Sequence, residues 1–361
     1  MRRPHRTDTE IRVSERYDYP AKNAVRAHLV PFFTARTAPF AVERANVWFF
    51  PGSHGAEMDG YRGIGIPVRQ LRAFEWNESA ARTIRKRAPG LSLYGGALGT
   101  FLRDPRHDAE PCDWASLDFD GSVLTFREEI TSVVARMRMD CLPRLALTSF
   151  ASRDHTVLIE SIVAASALRA IAPQQFRLGA DLLAVGNEYM GLAMRDRQSW
   201  LATAREFAVY LVVLRAFGGR SYGPQDDAAA ATFRTAFDAA FDEFHRAVRP
   251  VAASALASGR GLPIVESLAL QRAVAARSFP LWFEDSLRFA YRTMSNRWMW
   301  SWMFRFVPTN GRPVGLMEWA ERLLTMAPPL HVMSHTGYPV RGANTGVCAW
   351  CPREIDADAR V

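Results

Sequence analysis

Between residues 46 and 149 the chain repeats one pattern: a short apolar run, a turn, an amphipathic stretch, then another apolar run. The runs cover 47–50, 70–74, 91–94, 114–119 and 144–149. They are too short for helices and have the length of strands buried on both faces. Between them lie helical stretches. "ESAARTIRKRAPG" ends on Gly90, whose freedom at positive φ suits a helix C-cap. A short helix is expected over 98–103 and a longer one over 125–139. Strands alternating with helices are joined as right-handed βαβ units, so the sheet must be largely parallel. This alternation predicts an α/β fold.

Outside that region the pattern changes twice. "AKNAVRAHLVPFFTAR" precedes the first strand with helical spacing at Val25, Leu29 and Phe33. Residues 156–285 carry no strand signal and read as helices, including "WLATAREFAVYLVVLRAFGG". Then "LRFAYRTMSNRWMWSWMFRFV" gives two aromatic-rich β runs around Met294-Ser295-Asn296, an antiparallel hairpin. In it Trp298, Trp300 and Trp302 alternate and share a face, read as core beneath the helices. The layout expected is a disordered basic arm over 1–20, an α/β unit over 21–155 and 286–330, a helical insertion over 156–285 and a tail over 331–361.

Ligands of open α/β sheets bind beyond the carboxyl ends of the strands. Four such ends carry suggestive residues. The first strand runs into Pro51, Gly52, Ser53, His54, Gly55, Ala56 and Glu57, where small residues let backbone approach a ligand. The second runs into Glu75, an acid positioned to accept ribose hydroxyls. The third ends on Gly95 and Gly96, a place where an adenine-ring edge often lies in such sheets. The fourth ends "LDFDG", with Asp118 and Asp120. One sheet brings all four ends to one edge, so their order is more specific than any member.

That order resembles the class I S-adenosylmethionine-dependent methyltransferases, over about residues 20–155 and 286–310. The resemblance implies a Rossmann-like, mostly parallel sheet with an antiparallel closing hairpin, here enlarged by the helical insertion. It implies S-adenosylmethionine held by Pro51, Gly52, Ser53, Gly55, Glu57, Glu75, Gly95 and Gly96. Asp118 and Asp120 would orient or deprotonate the methyl acceptor, a nucleic acid or a molecule associated with one. Two features depart from the family. Phe50 stands where an acid usually precedes the first loop, with Glu57 in reach to compensate. Asp118-Phe119-Asp120-Gly121 replaces the D-P-P-Y type motif of amine methylases. The departures keep a second reading open, a non-catalytic methyltransferase-like binding or assembly protein. A nicotinamide oxidoreductase is weaker, since no G-x-G-x-x-G occurs.

Charge and cysteines bound the partners. The net charge is +8, and arginine carries it: Lys22 and Lys86 are the only lysines. Arginine excess permits a nucleic-acid partner but follows equally from codon usage. No apolar run reaches the roughly 18 residues of a membrane span, and no apolar signal core is evident near the N-terminus, so a cytoplasmic protein without a membrane partner is expected. The oligomeric state is not legible. The tail carries His331-x3-His335 and, twelve residues on, Cys348-x2-Cys351. Two imidazoles and two thiolates complete a tetrahedral zinc shell, so zinc is a candidate second cofactor.

Overall fold

The computed structural model describes residues 20–35, 37, 42–52, 55–138, 142–150, 154–173, 197–258, 263–293, 298–309, 312–325 and 330–333. In chain order, α1 (Pro20–Thr34) leads into β1 (Val47–Phe49), α2 (Ala56–Gly63), β2 (Leu71–Phe74), α3 (Glu78–Arg87) and β3 (Ser92–Tyr94). There follow α4 (Leu98–Leu102), β4 (Trp114–Asp118), α5 (Arg127–Arg136) and β5 (Arg144–Phe150). Then come α6 (His155–Ile171), α7 (Arg197–Gly218), α8 (Asp227–Ser258) and α9 (Leu268–Ala275). The described part ends with β6 (Ser278–Phe279), β7 (Leu281–Arg292), β8 (Trp298–Pro308), β9 (Val314–Gly315), α10 (Leu316–Thr325) and β10 (Leu330–Met333).

Eight strands form one sheet in the order β10-β7-β8-β5-β4-β1-β2-β3, and β6 with β9 makes a small antiparallel ribbon. Every neighbouring pair in the large sheet is parallel except those involving β8, which runs against β5 and β7. The α/β class and the closing hairpin are therefore as expected. The order reverses direction between β1 and β4, the switch point at which open α/β sheets leave a crevice.

Both faces of the sheet carry apolar side chains into a core, most completely along β1 and β4. In β1, Val47 and Phe49 point toward the residues of α1 and α2, while Trp48 points to the other side and meets Phe74 and Phe101 edge-on at 5.5 and 5.4 Å. On that second side α4 to α10 share one core with the sheet. The helices over 156–285 are thus packed on the α/β unit as part of its second layer. Trp300 and Trp302 lie in this core, and the apolar run 207–214 is buried within α7. Among the described residues no helix is long and apolar enough to cross a membrane.

Several boundaries differ from the sequence reading. The second part of the α/β unit starts with β7 at Leu281, five residues before 286, because Leu281 and Phe283 are buried strand residues. Helix α3 ends at Arg87 with Ala88 as its C-cap, and Gly90 takes its positive φ of 99° in the turn beyond. Residues 56–63, read as loop, form α2. The hairpin turn at Met294, Ser295 and Asn296 lies outside the described residues, as does the arm over 1–19.

Candidate active site at the carboxyl edge of the sheet

The first side chain of the site comes from α1. Its buried face reads Lys22, Val25, Leu29, Phe33, at helical spacings of three and four. The last three are apolar and dock on the sheet, so the same geometry carries the ammonium of Lys22 under cover, 4% exposed. There it forms an ion pair with Asp118 at the end of β4. Burial pushes the Lys22 ammonium down from its ordinary pKa, while the Asp118 carboxylate pushes it back up. Arg26, one turn further along α1, stands over the first loop: a Cβ at Gly52 would lie 3.5 Å from its Nη2.

The loop after β1 is a sharp turn. Gly52 and Gly55 both take φ of +61°, in the left-handed region that other residues enter only with strain. Gly55 is the N-cap of α2. This places Glu57 in the first turn of α2 and under the leading helix, buried. Its Oε1 accepts a hydrogen bond from the Tyr61 hydroxyl at 2.8 Å, and Ser116 on β4 also bonds to it. Burial raises the Glu57 carboxyl to about 7, against the pull of Ser116, Arg26 and Tyr61. Such a group changes charge near neutrality, which is the property an acid–base residue needs.

Strand register aligns the remaining candidates. Phe49 pairs with Ala73 and with Ser116, Phe74 with Tyr94, and Asp118 with Thr148. Ala73 also pairs with Leu93, and this register continued two residues past Phe49, Ala73, Leu93 and Ser116 sets Gly95, Glu75, Pro51 and Asp118 in one row. Glu75 is half-buried, and burial raises its carboxyl although the Asn77 N–H bonds to Oε1 at 2.8 Å. Next to it Trp76 is 69% exposed, an indole left open at the edge of the crevice. Gly95 and Gly96 are places of close approach: a Cβ would stand 2.9 Å from Arg85 Nη2 at the first and 2.8 Å from the Tyr94 ring at the second.

The structure therefore brings Pro51, Gly52, Gly55, Glu57, Glu75, Gly95, Gly96 and Asp118 to one edge of the sheet. Asp120 is exposed, two residues beyond β4, and stands outside the buried cluster. Phe50 fills the position usual for an acid with ring contacts to Phe119 at 5.6 Å and Phe74 at 6.4 Å. Ser53 and His54 lie outside the described residues, as do His335, Cys348 and Cys351 of the candidate zinc shell. The fourth member, His331, is on β10, buried and stacked on Phe289 at 5.3 Å. Burial, His28 and Arg288 push its imidazole down to about 4. Among the described residues no group of three metal-ligating side chains occurs.

Sequence reasoning missed Lys22, Arg26, Tyr61 and Ser116. Lys22 had a signal: a lysine on the apolar stripe of an amphipathic helix, in a chain that otherwise uses arginine. The fold and the site together define an open, mostly parallel α/β protein with a buried cluster of ionisable side chains beside its switch point. Compared with models of protein families and with curated proteins, the chain matches none.

Proposed function

We propose that the protein is an S-adenosylmethionine-dependent methyltransferase. The observation that carries this reading is the row at the switch point: a glycine turn after β1, an acid after β2, a glycine turn after β3 and an acid at the end of β4. The residues fit an adenosine group. Glu75 commits one carboxylate oxygen to Asn77, which leaves the other for a ribose hydroxyl pair. Trp76 offers an open aromatic face beside it. The amino-acid end of the cofactor carries a carboxylate, and Arg26 supplies its complement next to Gly52.

When bound, the cofactor supplies an electrophilic methyl group; what remains for the protein is binding, orientation and removal of a proton. Asp118 is the residue for orienting the acceptor, and Lys22 holds it in place. Glu57 is the group suited to hold a proton near neutral pH. The acceptor proposed is a nucleic acid or an associated molecule, on the strength of the net charge of +8. A gel shift that weakens between 50 and 200 mM salt is the expected sign. Zinc held by His331, His335, Cys348 and Cys351 is a separate proposal that rests on spacing, and metal analysis of the purified chain tests it.

Calorimetry with S-adenosylmethionine and with NAD tests the central claim. Saturable binding of the first, weakened by about 1.5–3 kcal/mol in Glu75→Ala, is the expected result. Binding of neither would turn the reading to a methyltransferase-like assembly protein.

A further inference from the structure

Helix α3 turns a cationic face to solvent. Ala81 and Ile84 are its buried residues, and Arg82, Arg85, Lys86 and Arg87 are all exposed. Arg82 pairs with Glu78 one turn back, and Arg87 pairs with Asp59 on α2. Those two carboxylates are thereby taken up. Arg85 and Lys86 form no ion pair or hydrogen bond among the described residues, so their charge is left over. Exposed guanidinium and ammonium groups of this kind are what a protein offers to phosphates.

The same helix reaches back to the crevice. A Cβ at Gly95 would stand 2.9 Å from Arg85 Nη2, and a Cβ at Gly55 would stand 3.9 Å from Arg87 Nη1. Gly55 belongs to the turn after β1 and Gly95 to the turn after β3, with β2 between those strands. The two guanidinia therefore flank the end of β2. Cations in a last helical turn ordinarily complement the carbonyl end of the helix. Arg85 instead leans toward the carboxyl edge of the sheet, where α3 begins. Trp76 stands at that edge. The register of β2 with β3, carried two residues past Phe74 and Tyr94, sets Trp76 opposite Gly96. Its indole is 69% exposed and has no ring or cation partner among the described residues.

An open indole beside uncommitted cations is the arrangement that holds a single-stranded nucleic acid. Cations follow the phosphates, and any unpaired base offers a π face to the ring. The bases of a duplex are stacked on one another and offer none along its length. We propose that the exposed face of α3 docks a single-stranded nucleic acid, with phosphates on Arg85 and Lys86 and one base stacked on Trp76. An indole has two faces, so a base on one leaves the other for the adenosine group. The strand's role as methyl acceptor rests on the methyl-transfer reading, which this surface deepens, whereas its docking stands on α3 and Trp76 alone.

Fluorescence anisotropy of a labelled oligothymidylate with the full chain, measured without cofactor at rising salt, tests the docking. Arg85→Ala and Lys86→Ala should each lower the slope of log affinity against log salt by about 0.7, the share of one phosphate contact on a single strand. Trp76→Ala should weaken binding by about tenfold or more, and Trp76→Phe should recover part of the loss, since a phenyl ring still stacks. All three positions are exposed, so the variants leave the core intact. Arg246→Ala removes an exposed cation on α8 and should leave the slope unchanged. The proposal is overturned if Arg246→Ala acts as strongly as Arg85→Ala, or if Trp76→Ala binds like the wild type. It is also overturned if the strand annealed to its complement binds as tightly, or if polyglutamate displaces the strand at equal charge. Calorimetry with S-adenosylmethionine on the same preparation separates the two readings. Strand binding without cofactor affinity upholds this surface and removes methyl transfer; cofactor affinity without strand binding does the reverse.

Discussion

Glu57 is the residue whose environment makes the sharpest statement. Its folded pKa of about 7 lies above the ordinary 4.5, so folding favours the protonated form. The sign follows from linkage: this group's contribution to stability is fully present below pH 4.5 and is lost as pH rises through about 7. The span corresponds to on the order of 3 kcal/mol. Glu57→Gln keeps an acceptor for Tyr61 and removes the titration. Denaturant unfolding at pH 5 and pH 8 should show the wild type losing stability relative to the variant by that order; parallel curves would mean that Glu57 is ionised at little cost. The pair of Lys22 and Asp118 is the other test at this scale. Breaking a buried pair leaves a buried charge, so Lys22→Met should cost about 3 kcal/mol. Asp118→Asn in the same chain should recover much of it, and a double-mutant cycle measures the coupling. Additive losses would show that the two charges do not sense one another.

At the scale of elements, the position of α1 decides whether the site exists, and one buried arginine fixes that position. Arg144 opens β5 and is fully buried. Its guanidinium donates to the carbonyls of Phe33 at the end of α1, of Leu142 and Pro143, and of Phe306 on β8, and to the Thr37 hydroxyl, all at 3.0–3.3 Å. It thus caps the helix that carries Lys22 and ties it to both ends of the sheet's antiparallel step. Arg144→Leu leaves several of these carbonyls without a donor and should cost about 3 kcal/mol, read as a lower denaturation midpoint. Asn77 is a milder case. Its Oδ1 caps α3 through the Ser79 and Ala80 N–H groups at 3.0 and 3.1 Å, so Asn77→Ala should cost about 1 kcal/mol. No change in stability would mean water replaces the cap.

These elements also show what a reader of the sequence can and cannot obtain. The strands of 46–149 were legible because they are short, mostly apolar runs that send side chains into cores on both sides of the sheet. The stripe of α1 was legible for the same reason. The role of Arg144 was not, since its partners lie 107 to 162 residues away, apart from Leu142 and Pro143 beside it. Helix α2 escaped because its eight residues include two glycines, Gly60 and Gly63, and only Met58 and Tyr61 mark its buried apolar side. Glu57 could be named as a loop residue from sequence, but it is buried in the first turn of α2, a helix that packs against α1.

Over the whole molecule, the arginine excess divides between surface and interior. Arg144, Arg277, Arg288 and Arg305 are buried, and two of them sit against carboxylates, Arg277 with Asp226 and Arg305 with Glu284 and Asp285. Internal arginines contribute to the net charge but offer nothing to a polyanion's surface, so charge alone overstates the footprint available to a nucleic acid. The other whole-molecule feature is how far the chain folds back. Helix α1 packs on β7 and β8, and Arg305 Nη1 reaches the Ala35 carbonyl at 3.4 Å across 270 residues. Contacts of that span close large loops and form late. During synthesis α1 emerges well before β7 and β8, the strands it rests on. Its apolar stripe waits over that interval without its partners, a period in which a chaperone's protection matters most. Lys22 travels with it, so the helix that carries it to Asp118 gains its full seat on the sheet only once β8 has left the ribosome.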